Sequence, residues 1–565
     1  MSDKHRTFHS KLNRRRVLQG LGGVGIAGLA GCAGGSDSET EGQSGTGTGG
    51  GSATEDESTD GGSSGSGGSL RMALVKSPIE FDPIVLNDVP SSQVVDRVVE
   101  GLYTYDEGTG VVPLLADGEP TVENGGQRYT VTIQDGATFS NGDPVTASDV
   151  KYSFEAPVDE QTPNASEVNM VDSITAVDEK TVQFDLQYPF AAFMNTLTWY
   201  VVPQSVREED TDAFNTGDAL VGSGPFVFEE WQEGNFVRLS ANGEYWGDPQ
   251  PNLSEIEFVP VEEATTRVTT LRNGENDVIE EIPPQQYTTV RNSISDASIS
   301  EVPGIGYFYA AFNCNEGPTT DPLVREGIDY AFDMDQAVSN YVEPTGVRQY
   351  SPLPSAVAED WGFPVDQWSQ IPRSKDVDQT KALFDEAGVP DDYSFRIIVP
   401  PDDKRQQIGI TISNGLQEAG WDASVQRLDW GAFLEQYLTG NEDDYNVYTL
   451  GWSGTPDPDA FTYYMFGATE DTLGVTDGTF YHDSSEQAAT ATEKFVEARR
   501  TNDQATRKQL YTEGITTVLE DRAHLPAYNL KNSFGVKDYV SDWHAHPVSS
   551  FTLATDYNNV SVNQQ

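Results

Sequence analysis

Hydrophobic and polar residues follow two different periods along the chain from residue 70 onward. Residues 129–133 and 182–186 alternate apolar with polar side chains, which predicts half-buried strands. Strands alternating with helices predict an α/β fold, and about 500 residues exceed what one core supports, so we expect at least two lobes. The predicted helices cover residues 265–271, 323–332, 379–387, 407–419 and 486–518, and further predicted strands cover residues 70–75, 395–399 and 445–450.

One helix start is predicted by capping chemistry. Thr146 is followed three residues later by Asp149, and residues 141–144 before them form a turn sequence. At this spacing each side chain can accept a hydrogen bond from the backbone N–H of the other residue, which predicts a capping box. We expect the helix to continue through Tyr152 and Phe154.

The start of the chain has the pattern of an export signal. Basic residues that include Arg14 and Arg15 precede an apolar stretch over residues 17–30, which is shorter than the roughly 20 residues that a membrane-spanning helix needs. Arg14 and Arg15 resemble the pair of a twin-arginine export signal, and residues 29–32 resemble a lipobox in which Cys32 takes a lipid. A free or buried Cys32 is the alternative. The order of the elements favours a lipoprotein held at the outer face of the cytoplasmic membrane.

The next segment, residues 33–69, has a composition that opposes folding. It contains Gly, Ser, Thr, Ala, Gln and seven acidic residues, without an aromatic, branched aliphatic or basic residue. Such a segment cannot bury enough apolar surface to offset the entropy of ordering. We therefore predict a disordered acidic tether between the membrane anchor and the folded part.

The charge of the chain excludes some partners. It has 90 acidic and 34 basic residues, a formal net charge of −56. Binding to nucleic acid depends on Lys and Arg at phosphates, so this balance argues against a nucleic-acid partner. A cationic ligand would explain an acidic excess, but the acids are spread along the whole chain, which favours a surface adapted to high salt.

The sequence contains no motif for a resident metal or cofactor. Of the two cysteines only Cys314 lies beyond the predicted lipid site, so we expect no disulfide within the mature chain. His544 and His546 are spaced to touch a metal, but no cluster of partner residues accompanies them. We expect neither a cofactor nor a bound metal.

A series of short segments occurs in an order that resembles a known family. The longest is GATFSNGDPVTASDV at residues 136–150, and the others are residues 99–103, 112–116, 129–133, 222–226, 244–247, 312–313, 321–325, 331–333, 451–452 and 457–458. In this order they resemble the extracellular solute-binding proteins of family 5, the peptide, dipeptide and nickel binders of ABC importers. The acid-rich composition resembles a haloarchaeal member.

The resemblance implies a fold and a set of boundaries. The fold would be a two-lobe α/β structure of the class II periplasmic-binding-protein type, with an extra subdomain in the first lobe. Residues 1–32 would be the signal and residues 33–69 the tether. Lobe one would hold residues 70–303, with its subdomain at about 99–220, lobe two residues 304–527, and residues 528–565 would return to lobe one.

The resemblance also implies a function without catalysis. The protein would capture a dipeptide or oligopeptide by closing about a hinge, and a monomer would deliver it to the permease subunits of an ABC transporter. A non-peptide solute such as a metal chelate or a sugar is the first alternative, and a structural protein of the cell surface is the second. An enzyme is not expected, because Gly451–Thr455 misses the G-x-S-x-G nucleophile pattern by one place.

The family pattern places the ligand contacts on both lobes. In lobe two the Gly-Trp segment would line the cleft with Trp452 as an aromatic wall, followed by Ser453, Gly454 and Thr455. In lobe one the turn at Val89, Ser91 and Ser92 would face the ligand. Near the hinge, Tyr307, Phe312 and Tyr528 are further candidates, with packing as the alternative role.

One position departs from the family pattern. Peptide binders of the family usually carry an aspartate a few residues after Gly-Trp, which pairs with the α-ammonium group of the ligand. Thr455 stands at that position here, unless a shortened loop brings Asp457 into its place. Without this carboxylate the ligand would lose a charge-assisted hydrogen bond of about 1.5–3 kcal/mol. The identity of the solute therefore stays open between a free peptide amine and another group.

Overall fold

The computed structural model describes residues 68–467, 478–553 and 559–563. The predicted export signal and nearly all of the predicted tether lie outside these residues. The strands are β1 (Ser69–Leu74), β2 (Tyr103–Tyr105), β3 (Val111–Pro113), β4 (Thr121–Glu123), β5 (Arg128–Thr132), β6 (Val171–Ala176), β7 (Thr181–Leu186), β8 (Phe226–Gln232), β9 (Phe236–Ala241), β10 (Glu255–Pro260), β11 (Val278–Glu280), β12 (Ala297–Pro303), β13 (Gly306–Phe312), β14 (Gly346–Arg348), β15 (Ser394–Val399), β16 (Asp422–Arg427), β17 (Val447–Ser453), β18 (His524–Lys537), β19 (Val540–Ser541) and β20 (Ser561–Val562).

The helices fill most of the connections between the strands. The α-helices span Val89–Val95, Ala147–Asp159, Ala165–Val168, Phe193–Thr196, Gln204–Arg207, Thr211–Asn215, Ala264–Asn273, Tyr287–Ser293, Pro322–Ala331, Met334–Tyr341, Ser355–Asp360, Val365–Trp368, Val377–Ala387, Asp403–Ala419, Trp430–Tyr437, Pro458–Phe466, Glu486–Arg499 and Gln504–Glu520. Short 3₁₀ helices span Pro284–Gln286, Pro318–Thr320, Tyr481–Asp483 and Ser549–Leu553.

One long strand joins the two halves of a large mixed sheet. The strand order is β16-β15-β17-β13-β18-β11-β1-β10-β9-β8, and β12 and β14 also pair with β18. The first part of β18 pairs antiparallel with β13, from His524 to Tyr528. Its second part pairs antiparallel with β12, from Lys531 to Lys537. The same strand therefore belongs to both halves, with the change of partner between Tyr528 and Lys531.

Separate hydrophobic cores divide the molecule into two lobes. The core that we assign to lobe two is built from buried residues between Tyr307 and Tyr528. The main core of lobe one combines residues from Leu70 onward with Phe534 and residues near the end of the chain. A further core between Leu102 and Val201 surrounds the four-stranded sheet β4-β5-β7-β6, which we call the subdomain. The fold is thus a two-lobe α/β structure with an extra subdomain in lobe one.

Local sequence signals explain many of the element boundaries. The predicted capping box is confirmed, because the Thr146 hydroxyl accepts from the N–H of Asp149 and the Asp149 carboxylate accepts from the N–H of Thr146. The range 486–518 that was predicted to be helical is interrupted, since the chain forms two helices, Glu486–Arg499 and Gln504–Glu520, with a break at residues 500–503. Asp503 caps the second helix by accepting from the N–H of Thr506, which favours a new helix start at that point.

Among the described helices, none combines the length and the apolar composition needed to cross a bilayer.

Candidate ligand-binding cleft

The predicted aromatic wall lies at the end of β17. Trp452 pairs in register with Tyr307 of β13, and its half-buried ring lies 6.2 Å from the ring of Tyr464. The indole Nε1 donates a hydrogen bond to the carbonyl oxygen of Ala460 at 2.7 Å. Because this bond fixes the ring while part of its surface stays accessible, Trp452 can present a rigid apolar face to a ligand.

The residues after Trp452 form a tight turn into the helix Pro458–Phe466. Ser453 and Gly454 are exposed, and Thr455 is half-buried. A side chain at Gly454 would place its Cβ 2.9 Å from the Cβ of Ala460, so the close approach of these two segments requires glycine. The backbone N–H of Asp457 donates to the carbonyl oxygen of Thr455 at 2.8 Å and completes the turn.

Asp457 is buried and engaged within lobe two. Its carboxylate caps the helix by accepting from the N–H of Asp459 at 2.8 Å, and it accepts from Nη2 of Arg507 at 2.8 Å. A carboxylate held by an arginine and a helix N-terminus is already neutralised. The structure therefore gives Asp457 partners within lobe two, Arg507 and the N-terminus of its own helix.

A second buried ion pair lies beside the first. Asp459 pairs with Nη1 of Arg499, and both side chains are almost fully buried. Burial raises the pKa of Asp459 to about 6, although Arg499 lowers it, so the carboxyl is ionised at neutral pH. Arg499 also lies 4.0 Å from the centre of the Tyr463 ring, which adds a cation–π contact.

The predicted turn of lobe one opens the helix Val89–Val95. Val89 is its half-buried first residue, and Asp88 before it accepts from the N–H of Ser91 at 2.9 Å. The Ser91 hydroxyl accepts from the N–H of Ile79 at 3.1 Å, while the Ser92 hydroxyl donates to the carbonyl oxygen of Asp88 at 3.0 Å. Both hydroxyls therefore hold the turn itself.

The three aromatic candidates near the hinge are buried. Tyr307 stacks on Tyr309 with 4.8 Å between ring centres, and Tyr528 stacks on Phe308 at 4.6 Å. Phe312 has no exposed surface. Their positions support packing, the alternative role, rather than ligand contact.

Direct hydrogen bonds connect the two lobes. The N–H of Ala191 in the subdomain donates to the carbonyl oxygen of Arg499 at 2.9 Å. Nη2 of Arg499 donates to the Tyr188 hydroxyl at 3.2 Å, and Nδ2 of Asn502 donates to the carbonyl oxygen of Gly125 at 2.8 Å. The break between the two helices of lobe two, which the sequence did not predict, therefore forms part of the contact with the subdomain.

Comparison with known proteins identifies the family. The family model of bacterial extracellular solute-binding proteins, family 5 Middle, matches residues 110–472. The chain belongs to this family. The oligopeptide-binding protein AppA of Bacillus subtilis is 23% identical over 505 residues, covering 85% of this chain and 90% of AppA. The glutathione-binding protein GsiB of Pectobacterium atrosepticum is 26% identical over 456 residues, covering 78% and 84%.

A solved structure confirms the two-lobe fold of this family 5 protein. HbpA2 from Haemophilus parasuis has a TM-score of 0.77 at 21% identity, and the likeness covers 88% of this chain and 100% of HbpA2. As a member of family 5, the protein is an extracytoplasmic solute-binding protein that serves transport, and it is not an enzyme. The resemblance predicted from the short segments is thereby confirmed.

Sequence reasoning missed one buried arginine of this family 5 protein. Arg405 lies near the start of the helix Asp403–Ala419 and is 3% exposed, with its guanidinium 5.9 Å from the centre of the Phe308 ring. Its Nε lies 3.3 Å from Asp402, but Nη1 is buried and has no hydrogen-bond partner within the described part of the chain. In the sequence it follows two aspartates and a lysine, a pattern typical of a solvated helix start.

The histidine pair does not form a metal site. Within the described ranges, no group of three or more His, Cys, Asp and Glu side chains is placed to hold a metal ion. His546 is fully buried, with Nε2 2.8 Å from the carbonyl oxygen of Asp106 and Nδ1 3.0 Å from the N–H of Val548. It therefore joins the end of the chain to the subdomain.

Proposed function

We propose that this protein captures a peptide between its two lobes and delivers it to the permease of an ABC importer. The observation that carries the proposal is the aromatic wall of Trp452 and Tyr464 beside direct hydrogen bonds from lobe two to the subdomain. A ligand that contacts both sides would stabilise the closed arrangement by its differential contacts. The names of two relatives, an oligopeptide-binding and a glutathione-binding protein, support a peptide as the ligand.

The proposed site has a different role for each part of lobe two. We expect the ligand to contact Trp452, Ser453, Gly454 and Thr455. The Trp452 ring is half-buried, and the turn that follows it is accessible. Asp457 would shape the site through its ion pair. Arg405, with an unpartnered donor near the junction of the lobes, is a candidate for the carboxylate of the ligand.

The hinge and the domain boundaries belong to the same proposal. The chain passes from β12 to β13 through Gly304 and Ile305, and returns within β18 after Tyr528. These two crossings support the boundaries at 303/304 and 527/528. Short extended connections of this kind can absorb the change in backbone angles that closure requires.

A non-peptide solute is the second candidate. It is favoured by one observation: among the described residues that follow Gly-Trp as far as Gly467, the acidic side chains Asp457 and Asp459 are already paired with Arg507 and Arg499. A ligand without an α-ammonium group would not need a free acidic residue there.

The cellular position is also proposed. The twin-arginine pair Arg14 and Arg15 would direct export, and Cys32 would carry the lipid that holds the protein at the outer face of the membrane. We further propose that the protein works as a monomer. The residues that carry the export and lipid proposals lie outside the described part of the chain.

The test combines identification of the solute with one pair of variants. The native protein should be purified in high salt and its bound solute released and identified by mass spectrometry. We expect a peptide, whose affinity calorimetry then measures. Trp452→Ala should weaken binding by about 10- to 100-fold, because it removes an aromatic contact surface. Trp452→Phe, the matched control, should retain most of the affinity. Equal binding by Trp452→Ala would refute this wall as the site, and release of a non-peptide would favour the second candidate.

A further inference from the structure

One carboxylate between the lobes has no counter-ion. Glu167 lies in the short helix Ala165–Val168 of the subdomain and is half-buried. Within the described ranges no hydrogen bond and no ion pair reaches its carboxylate. The hydroxyl oxygen of Ser166, the residue before it, is buried and has no hydrogen-bond partner. Buried polar groups are normally paired, so the Ser166 hydroxyl beside an unpaired, half-buried carboxylate points to a missing ligand.

The position of Glu167 is fixed by the segments on either side of it. Nδ2 of Asn164 donates to the carbonyl oxygens of Ile84 at 3.2 Å and Leu86 at 2.8 Å, close to the predicted turn of lobe one. On the other side, the N–H of Gln187 donates to the carbonyl oxygen of Met170 at 3.0 Å. Gln187 directly precedes Tyr188, which accepts from Arg499 of lobe two. Glu167 is therefore held on the part of the subdomain that meets lobe two.

The charge of Glu167 acts on one phenol from each lobe. Burial raises the pKa of Tyr105 in the subdomain, and the charges of Asp457 and Glu167 raise it further. Burial also raises the pKa of Tyr464 in lobe two to about 12, with Asp459 and Glu167 adding to it. Since the effect of a charge falls with distance, Glu167 lies near both phenols, which agrees with its place on the part of the subdomain that meets lobe two.

A count of charges shows what this region lacks. Asp457 is matched by Arg507 and Asp459 by Arg499, so the two buried pairs on lobe two are neutral. Glu167 is the surplus, and it leaves the group of these five side chains with one negative charge. Partial burial raises the pKa of the Glu167 carboxyl, because the charged form loses water without gaining a cation. A positive group from outside the chain would offset that loss.

We propose that Glu167 binds a cationic group of the ligand, an ammonium or guanidinium, when the lobes close on it. This inference rests on the proposed function, because it needs a ligand between the lobes. The cation would come from the amino terminus of a peptide or from a basic side chain. Tyr464 lies next to Trp452, so a ligand that packs on the aromatic wall would have its cationic group near Glu167.

The experiment compares peptides that differ in the position of their positive charge. The probes are Ala-Ala-Ala, its N-acetylated form and N-acetyl-Ala-Lys-Ala, titrated calorimetrically into the full-length protein in high salt. Glu167→Gln keeps the shape and removes the charge, and Glu167→Asp keeps the charge. Glu179→Gln, an exposed glutamate of the same subdomain, is the control.

The wild-type protein should bind at least one cationic probe more tightly than N-acetyl-Ala-Ala-Ala, by about 10- to 100-fold. Preference for Ala-Ala-Ala identifies the amino terminus, and preference for N-acetyl-Ala-Lys-Ala identifies a side chain. Glu167→Gln should lose this preference, whereas Glu167→Asp and Glu179→Gln should keep it. If the wild type binds peptides and Glu167→Gln binds them with the same preference, the inference is overturned while the proposed function stands. If the wild type binds none of the probes, the inference is overturned, whereas the proposed function is decided by the solute that co-purifies with the native protein.

Discussion

The two sides of the interlobe junction treat acidic side chains in opposite ways. On lobe two, Asp457 and Asp459 are each buried against an arginine. On the subdomain of lobe one, Glu167 reaches the same junction without a counter-ion in the described part of the chain. A buried ion pair holds structure, because removal of one partner leaves an uncompensated charge. An unpaired, half-buried carboxylate lacks such support, which agrees with the role that we propose for Glu167 in binding a cationic group of the ligand.

We expect the largest loss of stability when a buried ion pair on lobe two is broken. Arg499→Met leaves Asp459 buried without its partner, and we expect the free energy of unfolding to fall by about 3–5 kcal/mol. Chemical denaturation at neutral pH and high salt measures this loss. The double variant Asp459→Asn/Arg499→Met should recover part of it, because neither charge then remains.

The control for this variant is an arginine in an exposed pair. Arg291 lies 4.0 Å from Glu301, with 59% of its side chain exposed. Arg291→Met should change the free energy of unfolding by less than about 1 kcal/mol. If Arg499→Met cost as little as Arg291→Met, the contrast between paired and unpaired charges across the junction would be untenable.

The elements of the fold were predicted where local chemistry decides them. Alternation identified β5 and β7, and the Thr146–Asp149 capping box located a helix start. The break after Arg499 was missed because helical apolar spacing continues through it, while its cause is a polar cap at Asp503. The spacing of hydrophobic residues gives no information about a polar capping residue such as Asp503.

The site was predicted less completely, because its partners are distant in the sequence. Asp457 and Arg507 are 50 residues apart, and Asp459 and Arg499 are 40 apart. No local pattern indicates that these residues meet. Glu167 is one of 90 acidic residues, and what distinguishes it is a half-buried position without a partner where the subdomain meets lobe two, which only the tertiary structure reveals.

Glu280 extends the comparison to an acid that is held by neutral hydrogen-bond donors. We expect its substitution to change the free energy of unfolding by an intermediate amount. It is 6% exposed on β11, where it accepts from Nε2 of Gln93 at 2.8 Å and from the N–H of Val75. Burial, and then the charge of Glu281, raises the pKa of Glu280 from 4.5 to about 7. The folded state therefore binds this proton more tightly than the unfolded state, so stability falls as pH rises from about 4.5 to about 7.

Glu280→Gln removes this proton equilibrium. The free energy of unfolding of the variant, relative to the wild type, should rise by about 1–3 kcal/mol between about pH 4 and about pH 8, with most of the change between the two pKa values. Denaturation across this range checks it, with the exposed Glu233→Gln as a control whose difference from the wild type stays constant. A flat difference for Glu280→Gln would mean that neutral donors suffice to stabilise the charged form.

The smallest effect concerns a contact made only when the lobes meet. Asp360 of lobe two accepts hydrogen bonds from the backbone N–H of Thr109, at 3.1 Å, and from the Thr109 hydroxyl in the subdomain. Asp360→Ala should disfavour the closed arrangement by about 0.5–1.5 kcal/mol and weaken ligand binding by about 2- to 10-fold, because less of the protein is competent to hold ligand.

Calorimetry with the co-purified solute measures this loss of affinity, and small-angle scattering without ligand should show a more extended average shape. Asp385→Ala, at an exposed acid of lobe two, is the matched control. Asp360→Ala should leave the free energy of unfolding of lobe two unchanged, since its contact lies between lobes rather than inside one. A loss of stability equal to that of Arg499→Met would show that Asp360 supports lobe two itself. The division between charges that build a lobe and charges that act across the junction would then fail at this residue.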